Sequence, residues 1–216
     1  MTAGARALGV AESYGDGDER SVLCGAVVRT DRVADGFAVG TCAVGGADAT
    51  DAVAALFRDL GREDVGHLLL SGVAPAWFNL LDIGDLHGRL DRPVISVSFE
   101  DSPGLEPALR EQFSGEALEE RLAVYRSLPA RRPVETAAGR LFVRAAGTDD
   151  ATAAETVRAH VTEGSRRPEP IRVARLAARA VRRWRGAARA SASGPGRGET
   201  AREDPGSGGD RGGGDR

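Results

Sequence analysis

The stretch "GFAVGTCAVGGADATDAVAALFRDLGREDVGHLLLSGV", residues 36–73, decides the fold, because the chain changes here from successive strands to alternating helices and strands. Gly36–Val44 is a predicted strand of small and apolar residues. Asp48–Leu60 is a predicted helix, since apolar residues recur there at helical spacing. Val65–Val73 is a predicted buried strand. A strand, a helix and a strand in succession are typical of an α/β sheet.

The segments on both sides of this stretch complete the pattern. Two predicted strands precede it, Ala5–Ser13 and Ser21–Thr30, and the turn-like "DRVADG" joins the second strand directly to the third. A predicted helix, Leu81–Leu90, and a predicted strand, Pro93–Glu100, follow it. The remaining predicted elements are helices near Gly104–Phe113 and Gly115–Ser127, a strand at Arg140–Gly147, a helix at Asp150–Val161 and a last helix within "PEPIRVARLAARAVRRWRG", residues 168–186.

This order of elements predicts an α/β fold with a mixed sheet. Three strands joined without helices form its antiparallel side, and the helix–strand–helix–strand series forms its parallel side, with helices at the C-terminus. The order resembles the ribonuclease H-like fold, in which the first and fourth strands lie side by side and acidic residues at their tips hold divalent metal. Several unrelated folds share this order, so it does not by itself predict a function.

Composition predicts one soluble, cytoplasmic domain with a tail. The chain has 216 residues and 41% hydrophobic content, enough for one sizeable core. No apolar run approaches the roughly 20 residues that span a bilayer, and the first residues lack a secretory pattern. We expect the domain over residues 1–189. Residues 190–216 are predicted to be disordered, because Gly, Ser, Pro and mixed charges bury too little apolar surface to offset chain entropy.

Charge is distributed unevenly along the chain. All 29 basic residues are arginine, and nine of them lie in residues 165–189 with one acid, whereas residues 1–164 are acidic and would repel phosphate. In the last predicted helix, one stripe is basic: Arg172, Arg175, Arg179 and Arg182. The predicted buried face is Val173, Leu176, Ala180, Val181 and Trp184. The stripe is either the solvated face of a docked helix, a nucleic-acid contact, or a membrane or partner contact.

The two cysteines are predicted to be buried neighbours. If the second and third strands form a hairpin centred near Val33–Ala34, Cys24 and Cys42 lie roughly opposite each other. We expect free thiols, because cross-strand disulfides are uncommon in reducing compartments.

Acidic residues at the predicted strand ends are the candidates for metal chemistry. A two-metal nuclease needs carboxylates that converge, since the ions bridge the attacking and leaving oxygens of a phosphodiester. The candidates are Glu12, Asp48, Asp51, Asp82, Asp85, Glu100 and Asp101. Most have a structural alternative: Asp48 and Asp82 are good N-cap residues, and Asp51 suits a first helical turn.

Five segments, taken in order, resemble the archaeal endonuclease dU family, which is related to endonuclease V: "RALGVAES", "VGGADATDAV", "LLLSGVAPAWFNLLDI", "RPVISVSF" and "PEPIRVARLAARA". The most specific element contains Phe78, Asn79 and Asp82. The resemblance implies a ribonuclease H-like fold and cleavage of DNA near a deaminated base, deoxyuridine by the family name. It also implies Mg²⁺ or Mn²⁺ as cofactor, and an altered base held outside the stack. The turn with Pro75, Trp77 and Phe78 is either a wall for that base or part of the core.

The chain departs from the family pattern at three positions where carboxylates are expected. Ala11, Gly45 and Ser71 stand there instead, and neither a hydroxyl nor a glycine neutralises Mg²⁺. Glu12 and Asp48 remain as the candidate catalytic and metal-binding residues.

Ser71, Asn79 and Asp82 are the candidate supporting residues. Two functions stay open beside a third possibility, in which the last helix is a core or dimer element and the ligand is a small molecule. One is a divergent DNA repair endonuclease that uses Mg²⁺ or Mn²⁺. The other is a catalytically inactive protein without a cofactor, which binds lesion-containing or single-stranded DNA, or a protein partner, through the arginine stripe.

Overall fold

A computed structural model describes residues 4–192, and within this range the chain forms a seven-stranded mixed sheet with helices on both faces. The strands are β1 (Arg6–Ser13), β2 (Arg20–Arg29), β3 (Ala34–Ala43), β4 (Val65–Ser71), β5 (Val94–Ser98), β6 (Arg132–Thr136) and β7 (Gly139–Ala146). The helical segments are α1 (Ala49–Leu60), α2 (Pro75–Phe78), α3 (Ile83–Leu90), α4 (Glu106–Gln112), α5 (Gly115–Ser127), α6 (Asp150–His160) and α7 (Glu169–Ala192).

The sheet confirms the predicted fold class. Its strand order is β3-β2-β1-β4-β5-β7-β6, with β4 parallel to both β1 and β5 and all other neighbours antiparallel. The first and fourth strands therefore lie side by side, as the ribonuclease H-like order predicts. Residues 7–11 of β1 and Leu68–Leu70 of β4 are buried, because helices cover both faces of the central strands.

Helix α7 lies against β1 and β2 at very short range, on the face opposite α1 and α3. Gly9 permits this approach, because a Cβ at this position would lie 2.1 Å from the carbonyl carbon of Pro170. Ala174 and Ala178 continue the contact and are fully buried. The sequence segments around Gly9 and Pro170 are thus two sides of one backbone contact.

The predicted buried face of α7 is partly wrong. Leu176 and Trp184 are 53% and 71% exposed, although Val173 and Val181 are partly buried as expected. The reason is the close approach of α7, which favours alanine over larger apolar residues on the docking face.

The predicted hairpin register is also wrong. Cys42 pairs with Ser21, and Cys24 pairs with Val39, so the two cysteines lie on opposite faces of the sheet. The turn comes earlier than predicted because Arg32 adopts a left-handed conformation, with a φ of 72°, that its side chain does not signal. Both cysteines are nonetheless buried and free.

The predicted domain boundary at residue 189 falls inside the last helix. Helix α7 continues to Ala192, and the rest of the predicted tail lies outside the described residues. Between residues 4 and 192, no helix is long and apolar enough to cross a bilayer.

Candidate functional site

The ends of β1 and β4 bring Glu12 and Ser71 to one small cavity of about 10 Å³, roughly the space of one water molecule. Ser21 on β2 fixes Glu12, since its hydroxyl donates to Oε2 at 2.8 Å. The other lining residues are apolar: Val10, Ala11, Leu23, Val53, Leu70, Pro75 and Leu81. The place where the sequence predicts a metal is therefore nearly filled, and Glu12 is its single charged wall residue.

Asp48 is held by neighbours at the junction of β3 and α1. Its Oδ1 accepts hydrogen bonds from the Ala43 N–H at 2.9 Å and from Asn79 Nδ2 at 2.7 Å, and Oδ2 lies 3.4 Å from Arg20 Nη2. Partial burial tends to raise the pKa of the Asp48 carboxyl, but the two hydrogen bonds and the Arg20 charge outweigh it. The pKa therefore lies below its ordinary value. Asp48 occupies the N-cap position of α1 without making a cap hydrogen bond.

Asn79 and Asp82 tie the segment after β4 to α1 and α3. Asn79 is fully buried; its amide donates to the Ala43 carbonyl at 2.8 Å, and its side-chain oxygen accepts from the Ala49 N–H at 2.9 Å. Asp82 caps α3 by accepting from two backbone N–H groups, and its own N–H donates to Thr50 Oγ1 at 3.0 Å. The contacts of Asn79 and Asp82 therefore hold the backbone of neighbouring segments in place.

The α2 segment is a left-handed turn without glycine. Ala76, Trp77 and Phe78 have φ values of 47°, 56° and 62°. Such a conformation costs roughly 1–2 kcal/mol for each residue that has a Cβ. The Gly45 N–H stabilises the turn by donating to the Ala76 carbonyl at 2.7 Å.

Aromatic rings and one arginine pack around this turn. The Trp77 ring lies 5.3 Å from the Phe113 ring and 6.0 Å from the Phe78 ring, yet Trp77 is 43% exposed. Arg121 is buried, and its guanidinium lies 4.0 Å from the Phe113 ring centre. It donates to the carbonyl of Gly45 at 2.6 Å, so it braces the loop beneath the indole.

At two of the three positions where a carboxylate is expected, a neighbouring residue occupies the space that its side chain would need. At position 45, a Cβ would lie 2.7 Å from Trp77 Cε3, so the indole occupies the space of the expected side chain. At position 11, the small side chain packs against Ala174 of α7 and is buried. Restoring the family residues would therefore require both neighbours to move.

The residues present at these strand ends do not fit a divalent cation. Within the range that the structure describes, no three His, Cys, Asp or Glu side chains are grouped so that they could hold a metal ion. The oxygens of Asp48 face an amide, a backbone N–H and a guanidinium. Glu12 faces a hydroxyl and several arginines. Mg²⁺ requires near-octahedral oxygen ligands, with charged ones among them.

A second cavity beside Glu12, of about 350 Å³, is dominated by arginine, and we call it the arginine cavity. Its walls are Glu12, Ser13, Tyr14, Arg175, Arg179, Arg182 and Arg183. Three of the four arginines of the predicted stripe are thus brought together. Arg172 lies outside the group and pairs with Glu169 at 2.5 Å. Arg183 is a member that the stripe did not include.

The arginine cavity carries uncompensated positive charge. Burial, together with repulsion from Arg179 and Arg167, lowers the pKa of Arg175, and the attraction of Glu12 offsets this only in part. Arg182 lies 3.8 Å from Asp18 at the rim. Among residues 4–192, no hydrogen bond or ion pair holds the side chains of Arg175, Arg179 or Arg183. An anion in this cavity would relieve the mutual repulsion.

A third cavity, of about 430 Å³, lies at the ends of β4 and β5, and we call it the serine–arginine cavity. Its walls are Ser71, Gly72, Val73, Ala74, Ser96, Val97, Ser98, Phe99, Glu100, Ser102, Gly104, Leu105, Tyr125, Arg131, Arg144 and Arg167. Each guanidinium lies over an aromatic ring, for example Arg167 over Phe99 at 4.6 Å. The Arg167 Nε is buried without a hydrogen-bond partner in the described part of the chain. Sequence reasoning missed these arginines because they come from separate segments.

The family model for endonuclease dU matches residues 3–182. The chain belongs to the endonuclease dU family. A UPF0215 protein of Pyrobaculum calidifontis is 35% identical over 179 residues, which are 82% of this chain and 97% of that protein. Another, of Thermococcus kodakarensis, is 33% identical over 165 residues, covering 76% and 82% of the two chains.

Solved structures similar to this endonuclease dU family member share its fold. A protein of unknown function from Archaeoglobus fulgidus has a TM-score of 0.71 and 26% identity, over 82% of this chain and 97% of that one. A Ciona intestinalis endonuclease V, in complex with DNA containing an inosine, has a TM-score of 0.56 and 15% identity, over 84% and 87% of the two chains. The likeness confirms the predicted relation in fold to endonuclease V.

Proposed function

We propose that this endonuclease dU family member binds DNA containing an unpaired or altered base, and that it does so without metal-assisted cleavage. The observation that carries the proposal is the arginine cavity beside Glu12, where the family resemblance implies a metal site. Four guanidiniums line the cavity with the Glu12 carboxylate, and Asp18 lies 3.8 Å from one of them, Arg182. The remaining excess of positive charge suits phosphate and opposes a divalent cation. The DNA in the related Ciona complex supports nucleic acid as the ligand.

The serine–arginine cavity supports the part of the proposal that concerns the base. Its volume of about 430 Å³ is in the range of small-molecule sites. Hydroxyls from four serines and Tyr125 line the cavity and can hydrogen-bond to the edges of a base. The cavity adjoins Ser71, so a base held in it lies next to the strand end that carries Glu12.

The test measures the affinity for a fluorescein-labelled oligonucleotide that contains a single deoxyuridine. Binding is monitored by fluorescence anisotropy in the presence of EDTA. We expect binding without metal, and a loss of at least about tenfold in affinity in the double variant Arg175→Glu/Arg179→Glu. Arg58→Glu is the matched control, because Arg58 is an exposed arginine on α1, across the sheet from α7. Equal weakening by the control and the double variant would contradict the proposal.

A second candidate function is metal-dependent cleavage at deoxyuridine, with Glu12 and Asp48 as the ligands of Mg²⁺ or Mn²⁺. The observation in its favour is that Glu12 and Ser71 line one cavity at the end of the parallel strands. Incubating the same oligonucleotide with Mn²⁺ separates the two functions. Strand cleavage that is abolished in Glu12→Gln would establish the second function, whereas intact oligonucleotide with retained binding supports the first.

A further inference from the structure

The left-handed turn at α2 holds Trp77 outward although two neighbouring aromatic rings offer it a place in the core. Phe78 and Phe113 are partly buried against Leu80, Leu109 and Leu122, whereas Trp77 is 43% exposed. The main chain keeps three successive residues with a Cβ in the left-handed region to achieve this. Strain of this kind persists where the surroundings impose it, and such sites are concentrated at ligand contacts.

Hydrogen bonds hold the loop beneath the indole in place. Gly45 lies directly under the ring, with its N–H bonded to the Ala76 carbonyl at 2.7 Å. Buried Arg121 donates to the carbonyls of Gly45 and Gly46 at 2.6 and 3.1 Å. On the far side of the turn, the Asn79 N–H donates to the Pro75 carbonyl at 3.0 Å. The Trp77 ring is held by Gly45 and the two phenylalanine rings and is still 43% exposed, and its exposed part can stack on a base.

The position of the turn connects it to the arginine cavity. Pro75, which opens the turn, lines the small cavity together with Glu12, and Glu12 also lines the arginine cavity. Pro75 and the arginines therefore lie on two sides of Glu12 at the end of β1, and Trp77 follows Pro75 by two residues. One strand of DNA that passes this end would reach both a stacking surface and a phosphate-binding surface.

We infer that Trp77 is a stacking platform for an unpaired base of the bound DNA strand. The inference rests on the proposed function and adds a recognition element to it. Because every base has a π-face, the platform selects unpaired bases over paired ones without reading their sequence. The arginine cavity supplies phosphate contacts that do not depend on the base.

The test uses the Trp184→Phe variant, because the chain has two tryptophans and this change leaves Trp77 as the single reporter. Its fluorescence is titrated with an oligothymidine and with a fully abasic oligonucleotide of equal length. We expect both to bind by anisotropy, the abasic one more weakly, and only the oligothymidine to quench Trp77. In the Trp184→Phe protein, the further change Trp77→Gly should weaken oligothymidine binding by roughly 5- to 150-fold, the range for loss of one base–aromatic stack. The affinity for the abasic oligonucleotide should be unchanged.

Glycine is chosen at position 77 because it adopts the left-handed backbone freely, so the change removes the side chain without adding strain to the turn. Trp77→Phe should restore most of the oligothymidine affinity. Binding of both oligonucleotides without selective quenching, or with equal losses in Trp77→Gly, would overturn the inference and leave the proposed function standing. Failure of both oligonucleotides to bind the wild-type protein would overturn the two together.

Discussion

The indole of Trp77 occupies the space directly above Gly45: a Cβ at position 45 would lie 2.7 Å from Trp77 Cε3. Position 45 is one where the family resemblance implies a carboxylate. The tryptophan and the glycine are thus complementary, and the chain could not regain that carboxylate by a single substitution. An exposed aromatic ring thus lies where the resemblance implies a metal-binding carboxylate.

Substitution at Gly45 tests this relationship. We expect Gly45→Ala to lower the free energy of unfolding by about 2–4 kcal/mol, because it combines a left-handed backbone with contact against the indole. Gly61→Ala is the control, since Gly61 has a similar φ of 61° and open space around its Cα. It should cost only about 1–2 kcal/mol. Urea denaturation gives both values, and equal losses would show that the Trp77 contact has no energetic effect.

The hydrogen bonds to Asp48 predict a stability that depends on pH. Its pKa is lowered in the folded state, so its contribution is present above the unfolded value near 3.8 and is lost as the pH falls through the folded pKa. Asp48→Asn should therefore lose about 1 kcal/mol at pH 7, a small effect because the carboxylate is 39% exposed. The difference from wild type should shrink towards pH 2.

The measurement is urea denaturation of both proteins between pH 7 and pH 2. Asp59→Asn serves as the control for removing a charge from the same helix, since Asp59 is exposed near the end of α1. A difference between wild type and Asp48→Asn that stays constant across this range would contradict a structural role for the Asp48 carboxylate.

The two cysteines report on the two faces of the sheet. Burial raises the pKa of Cys24 to about 11 and, with the nearby charges of Asp48 and Glu12, that of Cys42 to about 12. Both thiols should react slowly with a disulfide reagent at pH 8, because the reactive thiolate is scarce and inaccessible. The reaction rate of each cysteine is measured in a variant in which the other cysteine is replaced by alanine.

Gly9→Ala should loosen α7, since a Cβ there would lie 2.1 Å from the Pro170 carbonyl carbon. Cys24, which packs under α7 against Ala178, should then react roughly tenfold faster, a change that corresponds to about 1.4 kcal/mol of local opening. Cys42, on the face covered by α1, should change much less. Equal acceleration of both cysteines would indicate global unfolding and contradict a locally docked helix.

Most elements of the fold could be predicted from the sequence because their apolar periodicity is strong, as in Asp48–Leu60 and Val65–Val73. Strand β6 was missed because Pro133 interrupts it; the structure tolerates this proline since β6 is at the edge of the sheet. The hairpin register was missed because its left-handed residue is Arg32 rather than a glycine. Local signals predict elements, whereas backbone conformations that neighbours impose leave no trace in residue type.

In the candidate site, too, local features could be predicted from the sequence, whereas long-range contacts could not. The sequence placed Glu12 and Ser71 at neighbouring strand ends, and they do line one cavity. It offered Asp48 as a metal ligand, whereas in the structure this residue is engaged by Asn79, thirty-one positions away. Such a long-range contact follows from the assembled loops, which spacing along the chain does not reveal.

In the proposed function, the arginine cavity binds DNA phosphate at the place where the family resemblance implies a metal site. The salt dependence of DNA binding is the most direct test of this role. Oligothymidine is titrated in EDTA at several salt concentrations against the wild type and against Arg175→Gln/Arg179→Gln. We predict metal-free binding, with a slope of log K against log salt that becomes shallower by about 0.7 for each phosphate that the variant no longer neutralises. An unchanged slope in the variant, or binding that requires added Mg²⁺, would contradict a phosphate-binding role for this cavity.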